Sequence, residues 1–426
     1  MLNFLFCKYI IMGVYFVLRV NVVDTIMGGG KTSAAINYIN STGDEVRFLY
    51  ITPFLSEVER VIRSCPSKAF KQPESFGTKI RGIKYLFESR ENIVSTHQLF
   101  SLFDDEIIDL AYNAGYILIM DEVADVVESL RITESDKQII LNNFASVDED
   151  GLLRWYDDSY TGEFDEYKRL CDLGCVGIYQ NEAVIWLFPI STFRAFREIY
   201  ILTYLFSAQI QKYYYDYYGV EYNYLYVKGS SLSEYAFSSD VTYQNNGYAV
   251  DYRSLIKVYE GDKLNAIGDL PTSLSVSWYH RNRENYLMDK LKNNCQNYFR
   301  NIVKNPSNKN MWTTFKDYRG ILSGKGYAKG YLSSNIRATN EYRDRTAVAY
   351  LINKYFNPYV KNFFVSRGVV VDEDLYATSE LLQFLFRSAI RDGQPIELYI
   401  PSSRMRQLLY DWFDYLDEIR ENIQVC

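Results

Sequence analysis

Val20-Asn21-Val22-Val23-Asp24-Thr25-Ile26-Met27-Gly28-Gly29-Gly30-Lys31-Thr32-Ser33-Ala34 decides how this chain is read. Its first part is apolar and β-branched, which predicts a buried strand. A helical pattern runs from Ser33 to Ile39. A strand, a glycine loop ending in Lys-Thr and then a helix is the setting of a phosphate loop. Gly28, Gly29 and Gly30 let backbone N–H groups turn inward toward phosphate oxygens. Lys31 is expected to reach the β- and γ-phosphates, and the Thr32 hydroxyl to hold Mg²⁺. The first glycine of the strict spacing is replaced by Thr25.

Outward from the loop, strands and helices alternate. Val46–Thr52 reads as a strand, followed by a helix from Pro53 through Arg63. Glu91–Thr96 is a second strand, with a helix from His97 to Phe103. Tyr116–Met120 and Ile199–Thr203 are near-continuously apolar, as strands covered on both faces are. In the second half Ser273–Tyr279, Met311–Phe315 and Ile396–Ile400 read as strands, and Lys329–Ile336 and Arg367–Val371 as extended. Asn285–Val303, Ser379–Ile390 and Ser403–Leu416 read as helices. The expected fold class is α/β, with two domains built on parallel sheets.

Ile117-Leu118-Ile119-Met120 delivers Asp121 and Glu122 to the end of a buried strand, where ligands bind in such sheets. Asp121 is expected to share the Mg²⁺ with Thr32, and Glu122 to position and polarise the attacking water. Gln383, Arg387 and Arg391 stand at i, i+4 and i+8, which predicts one helix face. From there the two arginines could stabilise charge on the γ-phosphate. Thr52 and Thr96-His97 each end a strand and open a helix, a placement suited to nucleic-acid phosphates. Residues 316–345 are basic, with Lys325, Lys329 and Arg337 among them. Tyr318, Tyr327, Tyr331 and Tyr342 are interleaved, as a single-strand surface requires.

The bulk properties bound the partners. A chain of 426 residues suggests two or three domains. Net charge is −7, so any nucleic-acid site must be a local basic groove. Six scattered cysteines suit a reduced cytoplasmic protein. Cys171 and Cys175 form a lone C-x-x-x-C and the chain has two histidines, which argues against a four-ligand zinc site. The apolar residues 1–16 read as an N-terminal extension, with no room for a spanning helix before the first strand. The expected organisation is a nucleotide-binding domain at 17–210 with an insertion at about 140–185. A connection at 211–270 then leads into a second domain at 271–426.

In order, the chain reads Gly29-Gly30-Lys31-Thr32, Thr52-Pro53, Ser95-Thr96-His97, Asp121-Glu122, Leu202-Thr203, Arg337-Ala338-Thr339-Asn340 and Gln383-x-x-x-Arg387. This order resembles the superfamily 2 DEAD/DEAH-like helicases, particularly the short helicase-like ATPases of bacteriophages. The resemblance spans roughly residues 20–410, and Arg391 follows Arg387 by four residues where the family usually has three. It implies two RecA-like P-loop NTPase domains with the nucleotide in the cleft between them. It also implies ATP and Mg²⁺ as cofactors, a nucleotide contact from Gln383, and a coupling role for Leu202-Thr203. The implied partners are single- or double-stranded DNA, with RNA left open, and replication or recombination proteins. Two rival readings are a DNA-packaging motor ATPase and an ATP-gated nucleic-acid-binding protein that does not unwind.

Overall fold

A computed structural model describes residues 18–53, 55–73, 78–149, 151–180, 182–243, 248–334 and 341–425. The N-terminal extension at 1–16 and Arg337 lie outside the described residues. The fold is mixed α/β with two parallel sheets.

The first lobe is built on β1 (Val20–Asp24), β2 (Phe48–Thr52), β3 (Ile93–Thr96) and β4 (Ile117–Asp121). A block of two small antiparallel sheets follows, made of β5 (Val127–Leu130), β6 (Ala145–Val147), β7 (Leu153–Trp155), β8 (Val176–Tyr179) and β9 (Ala183–Leu187). The range 140–185 falls within this block. The chain then returns to the main sheet with β10 (Glu198–Thr203), β11 (Tyr222–Lys228) and β12 (Ala236–Ser238). The strand order is β12-β11-β1-β10-β4-β2-β3, parallel except for the β11–β12 pair.

Alternate residues of these strands enter two different cores. Val22, Leu49, Leu118 and Ile201 face one, and Val23, Tyr50, Ile119 and Leu202 face the other. That is why the strands read as continuous apolar runs. The expected connection at 211–270 is corrected here. β11 pairs in parallel with β1 through Tyr222, Asn223, Tyr224 and Leu225, so the first sheet continues past residue 210. The edge position of β11–β12 leaves Asn223, Tyr224 and Lys228 exposed, and no clean apolar run announces the strand.

The second sheet consists of β13 (Ile256–Val258), β14 (Asn310–Thr313), β15 (Ala347–Tyr350) and β16 (Ile396–Tyr399), all parallel in the order β13-β16-β15-β14. Val348 and Tyr350 face the helices Glu373–Leu385 and Ser403–Val425, and Ala347 and Ala349 face the layer of residues 264–327.

Three expected elements differ. Ser273–Tyr279 is a turn and the start of the helix Val276–Arg281, because Ser275 caps that helix by accepting from Trp278 N–H. Lys329 lies in the 3₁₀ turn Ala328–Gly330. Arg367–Val371 follows the end of the helix Pro358–Val365, where Gly368 takes φ +79°.

The lobes are joined directly. Ile26 of the glycine loop and Tyr204 after β10 pack within the second lobe's core with Phe386, Ile390 and Trp412. Trp412 Nε1 donates to Tyr204 Oη at 2.9 Å, and Gln209 Nε2 donates to Ser379 Oγ at 2.7 Å.

Candidate functional site

Register aligns the strand ends along one edge of the first sheet. Asp24 sits beside Thr203, Leu202 beside Asp121, and Thr52 beside Thr96. The glycine loop leaves this edge and enters the helix Lys31–Ser41. Gly28 and Gly30 adopt φ +83° and +84°, the left-handed region that favours glycine. A Cβ at Gly29 would lie 2.4 Å from Thr25 Cγ2, and one at Gly30 would lie 2.8 Å from the Tyr235 ring. The helix has no side-chain N-cap and no acidic residue in its first turn. Its positive end is therefore not neutralised locally.

Lys31 Nζ donates to the carbonyls of Thr25 at 2.5 Å and Ile26 at 3.2 Å. Burial lowers its pKa, and the nearby charges of Glu122, Asp24 and Asp121 oppose that shift. Thr32 Oγ1 lies 3.5 Å from Asp121 Oδ2, and Tyr50 Oη donates to the same oxygen at 3.4 Å. Burial raises the Asp121 carboxyl to about 7, helped by the neighbouring Glu122 and Glu57 charges. Glu122 holds φ +74° while its N–H donates to Leu202 O at 3.0 Å. A non-glycine residue in that region is strained, and its neighbours hold it there. His97 Nε2 lies 3.1 Å from Asp121 O, so the ring braces the same strand end.

Lys31, Thr32, Asp121 and Glu122, together with the three glycines, therefore share one site. Arg391 joins them from the second lobe. Its charge acts on Lys31, and its carbonyl is 4.0 Å from the position a Gly28 Cβ would take.

The expected single face of Gln383, Arg387 and Arg391 is corrected. The helix ends at Leu385, where Ser388 Oγ donates to the Leu385 carbonyl, and Arg391 lies in the separate 3₁₀ turn Ala389–Asp392. Arg387 is 4% exposed and packed within the lobe. Gln383 lines a cleft of about 230 Å³ with Val123, Gln209, Lys354 and Glu380, beside the loop that follows Glu122. Thr52 is fully buried, which withdraws its hydroxyl from any phosphate, while Thr96 is half-buried at the next strand end. Lys325 and Lys329 are exposed on the second lobe's outer layer. The stacking role expected for two tyrosines is also corrected: Tyr318 and Tyr327 lie inside that layer's core.

Sequence reading missed three participants. Asp24 accepts from the N–H groups of Leu205 and Phe206, both at 2.9 Å, and so fixes the turn after β10. Burial raises its pKa. An acid closing the strand before the loop was the available signal. Tyr50 and Tyr235 gave none, because one is a core-pattern residue and the other arrives from a distant loop.

The SPbeta prophage-derived protein YonV of Bacillus subtilis (strain 168) is 40% identical over 409 residues, covering 93% of this chain and 99% of its own length. The chain belongs to the YonV family. Residues 250–413 match the YonV C-terminal Rossmann-like domain, which contains the second sheet, and residues 127–186 match the YonV middle domain, which is the inserted block. A solved structure, that of S. tokodaii Xpd4, covers 92% of this YonV-family chain and 94% of its own at 9% identity. The TM-score is 0.37. Among the described residues no helix is long and apolar enough to cross a membrane.

Proposed function

We propose that this chain binds and hydrolyses ATP at the edge of the first sheet and uses the cycle to move along nucleic acid, in the manner of the superfamily 2 helicases. One observation carries the reading. The Thr32 hydroxyl and the Asp121 carboxylate converge at 3.5 Å beside a glycine loop whose lysine lies among three carboxylates.

The donor set suits the implied cation. A hydroxyl and a carboxylate are hard oxygen ligands of the kind Mg²⁺ takes. Burial and the Glu122 and Glu57 charges raise the Asp121 pKa against the pull of Lys31 and Arg60, and the Thr25 and Thr203 hydroxyls are buried with no hydrogen-bond partner among the described residues. Bound with the nucleotide, Mg²⁺ supplies positive charge to the β- and γ-phosphate oxygens.

Lys31 would exchange the Thr25 and Ile26 carbonyls for phosphate oxygens. The uncapped helix and the glycine N–H groups would take the remaining phosphate charge. Glu122 would orient a water and accept its proton, held in place by its N–H bond to Leu202. Arg391 would approach the γ-phosphate from the second lobe, while Arg387 supports that lobe's packing. Rearrangement of this loop would be felt through Ile26, Tyr204 and Gln209, which contact the second lobe.

Phosphate release by the wild type and by Lys31→Ala, with and without single-stranded DNA, duplex DNA or RNA, tests this. Activity lost in the variant and raised by one nucleic acid supports the reading, and strand displacement then separates a motor from an ATP-gated binder. Absence of Lys31-dependent hydrolysis under every condition would sink it. The packaging-motor alternative would need a second, nuclease-like site of metal-binding carboxylates, and the late acidic run Asp372-Glu373-Asp374 is taken up in structural roles. Asp372 caps a helix, Glu373 pairs with Lys361, and Asp374 pairs with Arg404.

A further inference from the structure

The charge of the second lobe is strongly uneven. Residues 280–330 hold eleven lysines and arginines against three carboxylates, a net +8 within a chain whose total is −7. The remaining residues therefore sum to −15. A local field of one sign is what a polyanion meets first.

The fold gathers these residues onto one layer. The helices Val276–Arg281 and Tyr286–Asn297, the turn continuing to Val303, and residues 316–330 all pack on the core formed by Trp278, Leu291, Phe299, Trp312, Leu322 and Tyr327. Tyr327 Oη donates to Leu322 O at 2.5 Å, and Arg300 Cγ is 3.5 Å from the position of a Gly326 Cβ. Arg283, Arg300, Lys316, Arg319, Lys325 and Lys329 are exposed on this layer. Arg283 and Arg319 lie over the rings of Tyr318 and Tyr331, at 5.9 and 4.6 Å.

The opposite face of the same sheet is different. There Arg253 pairs with Asp414 and Asp417, Arg420 with Asp251 and Asp417, and Arg404 with Asp374. Its positive charge is answered within the protein.

We infer that the outer layer of the second lobe is a docking face for the phosphate backbone of duplex nucleic acid. The layer presents cations and asparagine amides, which bind phosphate without reading bases. Among its described residues one ring, Tyr286, is largely exposed, not the row that a single strand stacks on, since Tyr318 and Tyr327 are buried and Tyr331 is covered by Arg319. This goes beyond the proposed hydrolysis and does not depend on it, because the face lies across the sheet from the helices that meet the glycine loop.

The test is fluorescence anisotropy of labelled duplex DNA and of single-stranded DNA of equal length, without nucleotide, across a salt series. It uses the wild type, R300Q/K325Q/K329Q, and the charge-matched control R131Q/R169Q/R194Q, whose residues are exposed on the first lobe. Each phosphate contact contributes about 0.9 to the slope of log K against log salt on duplex. The layer variant should lower that slope by about 2 to 3 and weaken duplex binding at least tenfold, with an unchanged melting temperature. The control should bind as the wild type does. Lys31→Ala should also bind normally, which separates this face from the hydrolytic site. An unchanged slope in the layer variant, or single strands bound as tightly as duplex, would overturn the inference.

Discussion

The two parallel sheets of this chain share a construction and differ at the edge where their strands end. The first sheet ends in Asp24, Asp121 and several threonines, with a glycine loop above them. The second sheet ends in Val258, Thr313, Tyr350 and Tyr399, and the chain closes over it. At Gly268 a Cβ would lie 1.9 Å from the Pro401 carbonyl. The first edge holds carboxylates and a lysine whose ionisation is made costly by burial, whereas the second has spent its volume on packing. Architecture is thus common to both lobes, and chemistry belongs to the one that keeps space and charge at its strand ends.

Removing the proposed phosphate-binding lysine and general base should break this comparison most clearly. Lys31→Ala is expected to abolish hydrolysis. Glu122→Gln should lower kcat by about 10²-fold or more while nucleotide still binds, as for loss of a general base. Phosphate release and nucleotide titration read the two variants separately.

The two arginines sharpen it next. Arg387→Ala removes a packed cation-bearing side chain and should cost roughly 2–4 kcal/mol of stability, visible as a lowered melting temperature. Arg391 is exposed, so Arg391→Ala should leave the melting temperature unchanged and lower kcat by tens- to a thousandfold. The reverse pattern would remove Arg391 from the site.

A smaller effect concerns Asp121. Its folded pKa of about 7 exceeds the unfolded value, so the folded state binds the extra proton. The stability this carboxyl contributes is full below pH 4 and is lost as pH rises toward 7 and beyond. Asp121→Asn should therefore raise stability above pH 7 by on the order of 2 kcal/mol and flatten the pH dependence in thermal melts. Mg²⁺ should stabilise the wild type at that pH and leave the variant unmoved.

A last effect, of similar size, is expected at the loop itself. Gly30→Ala meets both a left-handed φ and the Tyr235 ring, and should cost about 1–3 kcal/mol. Tyr235→Ala in the same chain should recover only the steric part.

Much of the first lobe was legible because its strands are buried on both faces and its loop requires glycine. Leu118-Ile119-Met120 and Val22-Val23 could be placed from composition alone. Ser273–Tyr279 misled because alternating serines imitate a strand, and only the Ser275 cap reveals the helix. The i, i+4, i+8 spacing of Gln383, Arg387 and Arg391 failed for a similar reason, since a periodic pattern does not mark where a helix stops. Tyr318 and Tyr327 failed because a tyrosine's place in core or on surface depends on packing.

The sequence by itself determined the glycine loop, the Asp121-Glu122 strand end and the parallel α/β plan, because each follows from local backbone needs and strand burial. Only the tertiary structure decided which arginine faces Lys31, that Asp24 holds the turn at Leu205–Phe206, and that the lysines of the second lobe share one face. Those relations join residues far apart in the chain. Their energies come from desolvation and proximity, which exist only once the lobes have packed.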